Sequence, residues 1–393
     1  MQLLWSVIAW SMRCLLAGVA PQSRHDGSPF TPYDEQNRTR ASSAIPRAGL
    51  AQVRGDWEAL AQFFSLRSYS SDFFCWQCNA TKSEGPYCYR NFSVHAPHRQ
   101  TLISHRDYIE NCALEGGEPC YLFQCPGFEL WMLVVDSMHS ADLGCFGDAL
   151  GSLFFLEITN RAKYPSMAEG MKSLNVQLDA FYRANPRFSR TKITPLALQQ
   201  VIARKPGYPF LKGKAAQVRQ LAEFGLILAL KHQNGWVAEN GVVHAPFAFS
   251  AKHRLHGHTA EHLRLQVELF QSMCGYTRSL AAETFDEDMC RESMLGFLDT
   301  LSTLNTLWRR GLVVDSAKYK SAPYHLRRKA HMLQHLVLDH IPVFGCPTLF
   351  WCYRDEDFVG AVKAICAKCK HPATLESKVL QCTRILEGLG FDV

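Results

Sequence analysis

The pattern of hydrophobic and polar positions changes several times along this chain. Residues 48–64, AGLAQVRGDWEALAQFF, predict a short strand that ends near Gly55 and is followed by a helix. The apolar run FELWMLVVD, residues 128–136, follows a Pro-Gly pair and predicts a buried strand. Residues 65–128 are rich in Cys, His, Pro and Gly and keep no period, so this stretch needs another source of order, such as a metal ion.

The second half of the chain has a helical pattern. From about residue 166 to residue 310, apolar residues recur at helical spacing. The clearest helical stretches, there and beyond, are residues 217–232, 260–281, 321–341 and 355–371. Residues 340–353 predict an extended or looped segment instead. Together these patterns predict a mainly helical α/β fold, in which helices interrupt an α/β core.

The first twenty residues are apolar and imitate a signal peptide. No basic residue lies near the start, Arg13 interrupts the apolar run, and Pro21 follows the one small-residue cleavage site. The same interruption leaves the run too short to span a membrane. We therefore expect a buried strand or helix here rather than a secretion leader, and such an apolar opening is natural in a truncated domain.

Composition narrows the class of protein. The 393 residues include 47% hydrophobic and 20% charged residues, which is typical of a folded domain and excludes collagen, a coiled coil, a disordered chain and a polytopic membrane protein. The 15 cysteines are odd in number and scattered. This usage indicates a reducing compartment, with some cysteines as metal ligands and most as small buried hydrophobic residues.

Basic residues concentrate in two stretches of a chain whose net charge is +6. Residues 309–329 hold seven basic residues and one acid, with Tyr319 and Tyr324 among them. Residues 204–219 hold five more basic residues. Such clusters suit phosphate contacts without base specificity, although a solvated basic loop has the same composition. No helix-turn-helix or other sequence-reading motif is recognisable.

Two pairs of residues could together bind a metal ion. Cys75 and Cys78 form a C-x2-C pair, and His331 and His335 are four residues apart on one face of a predicted helix. Two thiolates and two imidazoles form a tetrahedral ligand set that suits structural zinc. Each pair also has an ordinary interpretation, as an accidental pair of thiols and as a solvated helix face.

Three acids flank these pairs. Asp56 follows the first predicted strand, 19 residues before Cys75, and Glu356 opens a helix, 21 residues after His335. Asp136 ends the strongest predicted strand. Carboxylates that converge from distant segments can hold two Mg²⁺ ions for phosphoryl chemistry. The structural alternatives are a helix N-cap for Asp56 and a favourable position in the first turn of a helix for Glu356.

Four short segments, taken in this order, resemble the catalytic region of DDE transposases of the CACTA (EnSpm) type, whose broad group includes the V(D)J recombinase core. The segments are residues 55–82, 136–144, 329–336 and 355–363. Residues 86–100 are also similar to the tract that follows the C-x2-C pair in that family, so the resemblance spans residues 50–370. It implies a ribonuclease-H-like core interrupted by a large helical insertion.

The resemblance also implies roles for individual residues. Asp56 corresponds to the second catalytic aspartate, with Asp136 as the alternative, Glu356 corresponds to the final glutamate, and His139 to a Met-His residue near the active site. The implied cofactors are catalytic magnesium and a structural zinc ion. The implied zinc ligands, which would tie the insertion to the core, are Cys75, Cys78, His331 and His335.

One feature departs from the family pattern. The first catalytic aspartate belongs on an earlier strand, but the aspartates before Asp56 are Asp26 and Asp34, both in a polar stretch. We therefore expect the first aspartate to be missing. Two hypotheses follow: a transposase-derived protein that cleaves and transfers DNA strands, inactive if that acid is essential, or a non-catalytic, zinc-stabilised DNA-binding remnant.

The predicted organisation has three parts. Residues 1–160 form the first part of an incomplete ribonuclease-H-like core with its Cys-rich loop, residues 161–320 form the helical insertion, and residues 321–393 complete the core. The resemblance implies DNA as partner and the nucleus as location, allows a homo-oligomer, and implies neither a membrane nor a small-molecule substrate. A thiol enzyme using Cys75 or Cys125 is a third hypothesis, although no nucleophile signature supports it.

Overall fold

The computed structural model describes residues 2–114, 118–160, 162–202, 208–237, 241–249, 255–311 and 323–368. Most of these residues are helical, which confirms the mainly helical prediction. The α-helices are α1 (Gln2–Ala17), α2 (Glu35–Arg40), α3 (Trp57–Phe64), α4 (His105–Leu114), α5 (Phe146–Thr159), α6 (Met167–Ala184), α7 (Leu198–Val201), α8 (Ala215–Gln220), α9 (Ala222–Asn234), α10 (Thr259–Ala281), α11 (Glu287–Gly311), α12 (Lys329–His335), α13 (Ile341–Phe344) and α14 (Tyr353–Lys368). The strands are β1 (Val53–Gly55), β2 (Leu133–Val135), β3 (Trp236–Val237) and β4 (Val243–His244).

The two longer strands come from distant parts of the sequence. β1 and β2 pair in parallel, with Val53 opposite Leu133 and Gly55 opposite Val135. A parallel pair needs a long crossover, which the Cys-rich segment provides. The other pair in the described ranges, β3 and β4, is an antiparallel hairpin. Two-stranded sheets are much less than a ribonuclease-H-like core, so that finer prediction is not shown.

Helices that come later in the chain pack around the buried helix α5. Helix α5 is apolar around nearly its whole circumference, as expected for a helix enclosed by others. Its Phe154 meets Phe224 of α9 edge to face, and its Phe146 meets Phe297 of α11 in the same way. Gly151 allows the backbone at Phe210 to cross α5 closely, because a Cβ atom there would lie 2.4 Å from the Cα of Phe210. The helices predicted over residues 217–232 and 260–281 are confirmed as α8 with α9 and as α10.

The Cys-rich segment is ordered by contacts with the final helices rather than by regular structure of its own. It contains α4 and several 3-10 turns. Tyr89 donates a hydrogen bond of 2.9 Å to the carbonyl of Leu326, just before α12. At the opposite end, Arg54 of β1 forms an ion pair of 2.8 Å with Asp355 of α14. The first 114 residues and the last described helices therefore build one region together.

The structure corrects two element boundaries near the end of the chain. The helix predicted over residues 321–341 begins at Lys329, because Tyr324 has a left-handed φ of 56° and is fully buried. Arg327 leaves the helical path as well, to form an ion pair of 2.6 Å with the buried Asp148. Residues 340–353 were expected to be extended or looped, but a π-helical turn and α13 continue the helix to Phe344, and the loop begins only after it.

The apolar N-terminus forms α1, which confirms the helical alternative. It packs by one face, with Ala9 buried, and leaves Leu3 and Leu4 exposed. Among the described residues, no single helix has both the length and the apolarity to cross a membrane. Two helical segments joined at a bend, Lys329–Phe344 and Pro347–Gly360, have the required length and apolarity only when they are taken together. The first of the two is buried within the chain. The three-part division of the chain stays a prediction.

Candidate metal centre and basic cavity

The four predicted zinc ligands meet in the core of the molecule. Cys75, Cys78, His331 and His335 are all fully buried, and their ligating atoms lie within 4.8 Å of one another. The Sγ atom of Cys75 lies 3.5 Å from Nε2 of His335, and Sγ of Cys78 lies 3.2 Å from Nε2 of His331. The two Nε2 atoms are 3.1 Å apart. The structure thus brings together residues that are more than 250 positions apart in the sequence.

These distances fit a tetrahedral zinc ion. With Zn–S bonds of about 2.3 Å and Zn–N bonds of about 2.0 Å, tetrahedral geometry places sulfur and nitrogen about 3.5 Å apart and the two nitrogens about 3.3 Å apart. The separations in the structure agree with these values to a few tenths of an ångström. The set contains four protein ligands and is enclosed, which is typical of structural rather than catalytic zinc.

Local structure on each side orients the ligands. The C-x2-C loop turns sharply, so that the backbone N–H of Gln77 donates to Sγ of Cys75 at 3.3 Å. The guanidinium of Arg67 donates to the carbonyls of Cys75 and Cys78 at 3.3 and 3.4 Å, which holds the loop from behind. On the other side, α12 places its two histidines one turn apart on the same face.

The environment favours the metal-binding protonation state for two of the four ligands, Cys78 and His331. The hydrogen bond from the Cys75 thiol, together with His331, holds the pKa of the Cys78 thiol far below its ordinary value, although burial acts in the opposite direction. Burial lowers the pKa of His331 to about 4, so its imidazole is neutral at pH 7. A thiolate and a neutral imidazole are the ligand forms that zinc requires. Burial raises the pKa of the Cys75 thiol, and the pKa of His335 is raised because its hydrogen bond with Asp339 outweighs burial, so a metal ion would have to displace protons from these two.

A second set of side chains, which sequence reasoning missed, orients His335. The carboxylate of Asp339 lies 2.6 Å from Nδ1 of His335, which leaves Nε2 to face the cluster. Arg99 donates two hydrogen bonds, of 2.6 and 2.7 Å, to the same carboxylate. A carboxylate behind a metal-binding histidine is a common arrangement, and the i, i+4 spacing of His335 and Asp339 is a signal that could have revealed it.

A third histidine joins the metal centre to the sheet. The backbone N–H of Val135 in β2 donates to Nδ1 of His340 at 3.0 Å. The amide nitrogen of Gln77, inside the C-x2-C loop, lies 3.0 Å from Nε2 of the same ring. Burial lowers the pKa of His340 to about 3, so the ring is neutral. His340 therefore connects the metal-binding loop to the strand that ends just before Asp136.

Asp136 is buried and uses both of its carboxylate oxygens within the protein. Its side chain is in a residue only 2% exposed. One oxygen accepts from the backbone N–H groups of Met138 and Cys352 at 3.1 and 2.9 Å. The other accepts from the backbone N–H of His139 at 3.0 Å and lies 2.5 Å from its Nδ1. With these four contacts, Asp136 has no lone pair left for a metal ion, and it positions its neighbours instead.

Asp136 holds the predicted Met-His residue in one orientation. Burial would lower the pKa of His139, but the hydrogen bond and charge of Asp136 outweigh it and raise that pKa. The other ring nitrogen, Nε2, lies 3.9 Å from the carboxylate of Glu356, whose side chain is 57% exposed. The structure thus places three of the four predicted catalytic residues side by side.

The structure supports the structural alternatives for Asp56 and Glu356. Asp56 caps α3, since its carboxylate accepts from the backbone N–H of Ala59 at 2.6 Å. Glu356 lies in the first turn of α14. Among the described residues, the Cys/His cluster is the group of three or more side chains close enough to share a metal ion. Asp56, Asp136 and Glu356 do not form such a group. The residues present therefore do not fit a two-magnesium site in this arrangement.

A cavity of about 870 Å³ opens beside Asp56. His139 also lines its wall. The cationic residues of the wall are Lys82, Arg90, Arg309, Arg327, Arg328 and Lys329. Three of these form ion pairs with two acids, since Arg327 pairs with Asp148, and Arg90 and Arg309 share Glu84. The other three form no ion pair with any described residue.

The two basic stretches of the sequence lie in different surroundings. In the first, residues 312–322, with Tyr319, lie outside the described residues, but both ends of the stretch line the cavity. Tyr324 is buried and accepts a hydrogen bond from Gln266, so it is not available for stacking with a ligand. In the second stretch, Arg219 lies against the rings of Trp351 and Tyr353, 4.5 and 4.8 Å from their centroids, which is a structural role.

The geometry offers little to the thiol-enzyme hypothesis. Cys75 lies beside His335, but both are fully enclosed, so a substrate cannot reach the sulfur. Cys125 is buried against the carbonyl of Ala9, and burial raises the pKa of its thiol. A reactive cysteine requires exposure and a lowered pKa.

We expect the purified chain to contain about one zinc ion, bound by the Cys/His cluster. Cys75→Ser and His335→Ala should each abolish zinc binding and lower the unfolding temperature, because each removes one ligand and leaves the others buried. Elemental analysis and thermal unfolding measure both effects. Cys14→Ser, which changes a half-buried thiol outside the cluster, is the control. Zinc retained in both ligand variants would contradict the assignment.

The carboxylate of Asp339, which lies behind His335, should strengthen zinc binding. Asp339→Asn should weaken zinc binding by about 10- to 100-fold without abolishing it, because the ring loses its charged partner but keeps a hydrogen-bonding one. Competition with a chromogenic chelator measures the affinity. Asp357→Asn, on the exposed surface of α14, should leave the affinity unchanged. Equal affinities in the two variants would show that Asp339 does not act on the metal.

No protein-family model, curated protein or solved structure matches this chain. The support for a function therefore comes from the residues themselves, from the geometry of the metal centre and cavity, and from the resemblance of the four short segments.

Proposed function

We propose that this chain is a transposase-related protein that binds DNA in its basic cavity, within a fold held together by a zinc ion. The observation that carries the proposal is the set of unneutralised cations in the cavity wall, Lys82, Arg328 and Lys329. Phosphate groups of a ligand would supply the negative charge that balances these three cations. The order of the motifs resembling CACTA transposases supports DNA as the source of those phosphates.

The electrostatics of the wall support an anionic ligand. Burial and the repulsion between Lys82 and Arg328 lower the pKa of Lys82, although the charge of Asp72 acts in the opposite direction. A bound phosphate would reverse that cost, because it places negative charge between them. Contacts of this type position a nucleic acid without reading its sequence. This agrees with the absence of a recognisable sequence-reading motif.

The zinc ion has an indirect part in this proposal. Lys82 follows Cys78 by four residues, and Arg328 precedes His331 by three. The two sides of the metal centre therefore carry the two sides of the cationic wall. When bound, zinc supplies a structural cross-link, and the protein's own cations contact the DNA.

DNA strand cleavage is the second candidate function. Asp56 lies in the cavity wall with His139, and the carboxylate of Glu356 lies 3.9 Å from His139. Asp56 thus lines the proposed DNA site, and Glu356 lies near His139 without lining the cavity. Because the carboxylate of Asp136 is fully hydrogen-bonded and the acids form no group of metal-ligating atoms, we favour binding without cleavage.

We expect Lys82→Gln and Arg328→Gln each to weaken DNA binding to a similar extent for different DNA sequences. Each should also reduce the slope of log affinity against log salt concentration by about one, because one phosphate contact is lost. Fluorescence anisotropy over a range of salt concentrations measures both quantities. Lys212→Gln, an exposed change that lies outside the cavity wall, is the matched control. An equal loss in this control would place the DNA elsewhere.

The fourth prediction separates binding from cleavage. We expect no Mg²⁺-dependent or Mn²⁺-dependent nicking of supercoiled plasmid, at protein concentrations that saturate the DNA. The reason is that the acids present do not form a two-metal site. Asp56→Asn serves as the reference for contaminating nucleases. Nicking by the unaltered chain that Asp56→Asn abolishes would contradict the prediction and establish the second candidate function.

A further inference from the structure

One aromatic side chain in the cavity wall, Tyr69, is largely exposed. Tyr69 is 51% exposed, whereas the other tyrosine of the wall, Tyr89, is buried. The guanidinium of Arg328 lies over the ring of Tyr69, 5.5 Å from its centroid, and also over the ring of Phe74, at 6.0 Å. An exposed ring beside a stacked guanidinium is a flat surface on which a further planar group can stack.

The loop that carries Tyr69 is held in place on both sides. The hydroxyl of Ser68 lies 2.8 Å from that of Ser70, and it also accepts from the backbone N–H of Ser70 at 3.2 Å. The ammonium of Lys82 donates to the carbonyl of Ser70. The exposed ring is therefore presented by an ordered loop, and one of the cavity's unneutralised cations is anchored beside it.

The size of the cavity distinguishes between forms of DNA. A volume of about 870 Å³ is in the range of pockets that enclose a small organic ligand. A few unpaired nucleotides can enter such a space, but a duplex, whose major groove alone is about 12 Å wide, can only rest against its mouth. In a duplex the bases are stacked on one another, so none is free to stack on Tyr69.

We infer that the cavity binds unpaired nucleotides of a DNA strand, with a base stacked on Tyr69 and the phosphates on Lys82, Arg328 and Lys329. This rests on the proposed function and names the form of DNA that it takes. The acidic residues Asp56 and Glu58 in the wall repel phosphates, so the backbone of the strand follows the cationic side. Aromatic stacking combined with a cationic groove is the general means of binding single strands without sequence preference.

The test compares DNA forms of one sequence by fluorescence anisotropy. The probes are a 20-nucleotide single strand, its blunt duplex, and the same duplex with a central stretch of mismatches. We expect the single strand and the mismatched duplex to bind more tightly than the blunt duplex. Tyr69→Ala should weaken binding of the first two by about tenfold and leave binding of the blunt duplex unchanged, while Tyr69→Trp should keep the wild-type affinities.

The control variant is Tyr33→Ala, because Tyr33 is 99% exposed and lies outside the cavity wall. It should leave all three affinities unchanged. Photocrosslinking with 5-iododeoxyuridine in the single strand gives a second readout, since the halogenated base couples to the aromatic ring on which it stacks. The crosslinked peptide is expected to contain Tyr69.

Different results would contradict the inference alone or the proposed function as well. Equal affinity for the single strand and the blunt duplex, or an equal loss of both in Tyr69→Ala, would overturn the inference and leave the proposed DNA binding intact. No binding to any DNA probe would overturn the proposed function and the inference with it. Tighter binding of an RNA strand of the same sequence would overturn the assignment to DNA.

Discussion

The close approach of two thiols and two imidazoles is the interaction on which the rest of this structure depends. The paired residues are separated by 253 and 260 positions, so a cross-link here closes loops of great length and removes much chain entropy. The Cys-rich segment has little regular structure, and its order comes from this junction and from contacts with α12. Buried thiols and imidazoles without a shared ion would be a costly arrangement in an apolar core. A metal ion bound by these four side chains would therefore hold together the distant segments that meet here.

The same junction builds the cavity. One side of the cationic wall follows the cysteines, the other side precedes the histidines, and His340 fastens the metal-binding loop to β2. Asp136, at the end of β2, then holds His139 and the backbone just before α14. The acid end and the cationic wall are therefore connected through hydrogen bonds that begin at the metal centre. This explains why an acid in a catalytic-looking motif can be a structural residue. It lies where the turn after β2 meets the segment just before α14, and the N–H groups of both require an acceptor.

Much of the local structure could be predicted from the residues alone. The strand at Val53–Gly55 and the helix that follows it were predicted because β-branched and small residues give way to a helical period, and Asp56 caps that helix as its position suggested. The segment before α12 was not predictable in this way. Its sequence is compatible with a helix, but Tyr324 is drawn into the core by Gln266, and Arg327 by the buried charge of Asp148. Long-range partners outweighed local propensity at both positions.

The sequence by itself determined the mainly helical character of the chain, its Cys2His2 ligand set, and the concentration of positive charge near α12. All three depend on residue type and on spacing within a few turns of chain, which a linear pattern records. Only the tertiary structure decided that Asp136 has no free lone pair, that Asp339 and His340 support the metal centre, and that Tyr69 and three unpaired cations face one cavity. Those facts depend on which groups from distant segments meet, and on which acids are already neutralised. The order of residues along the chain does not show which distant groups meet or which acids are already paired.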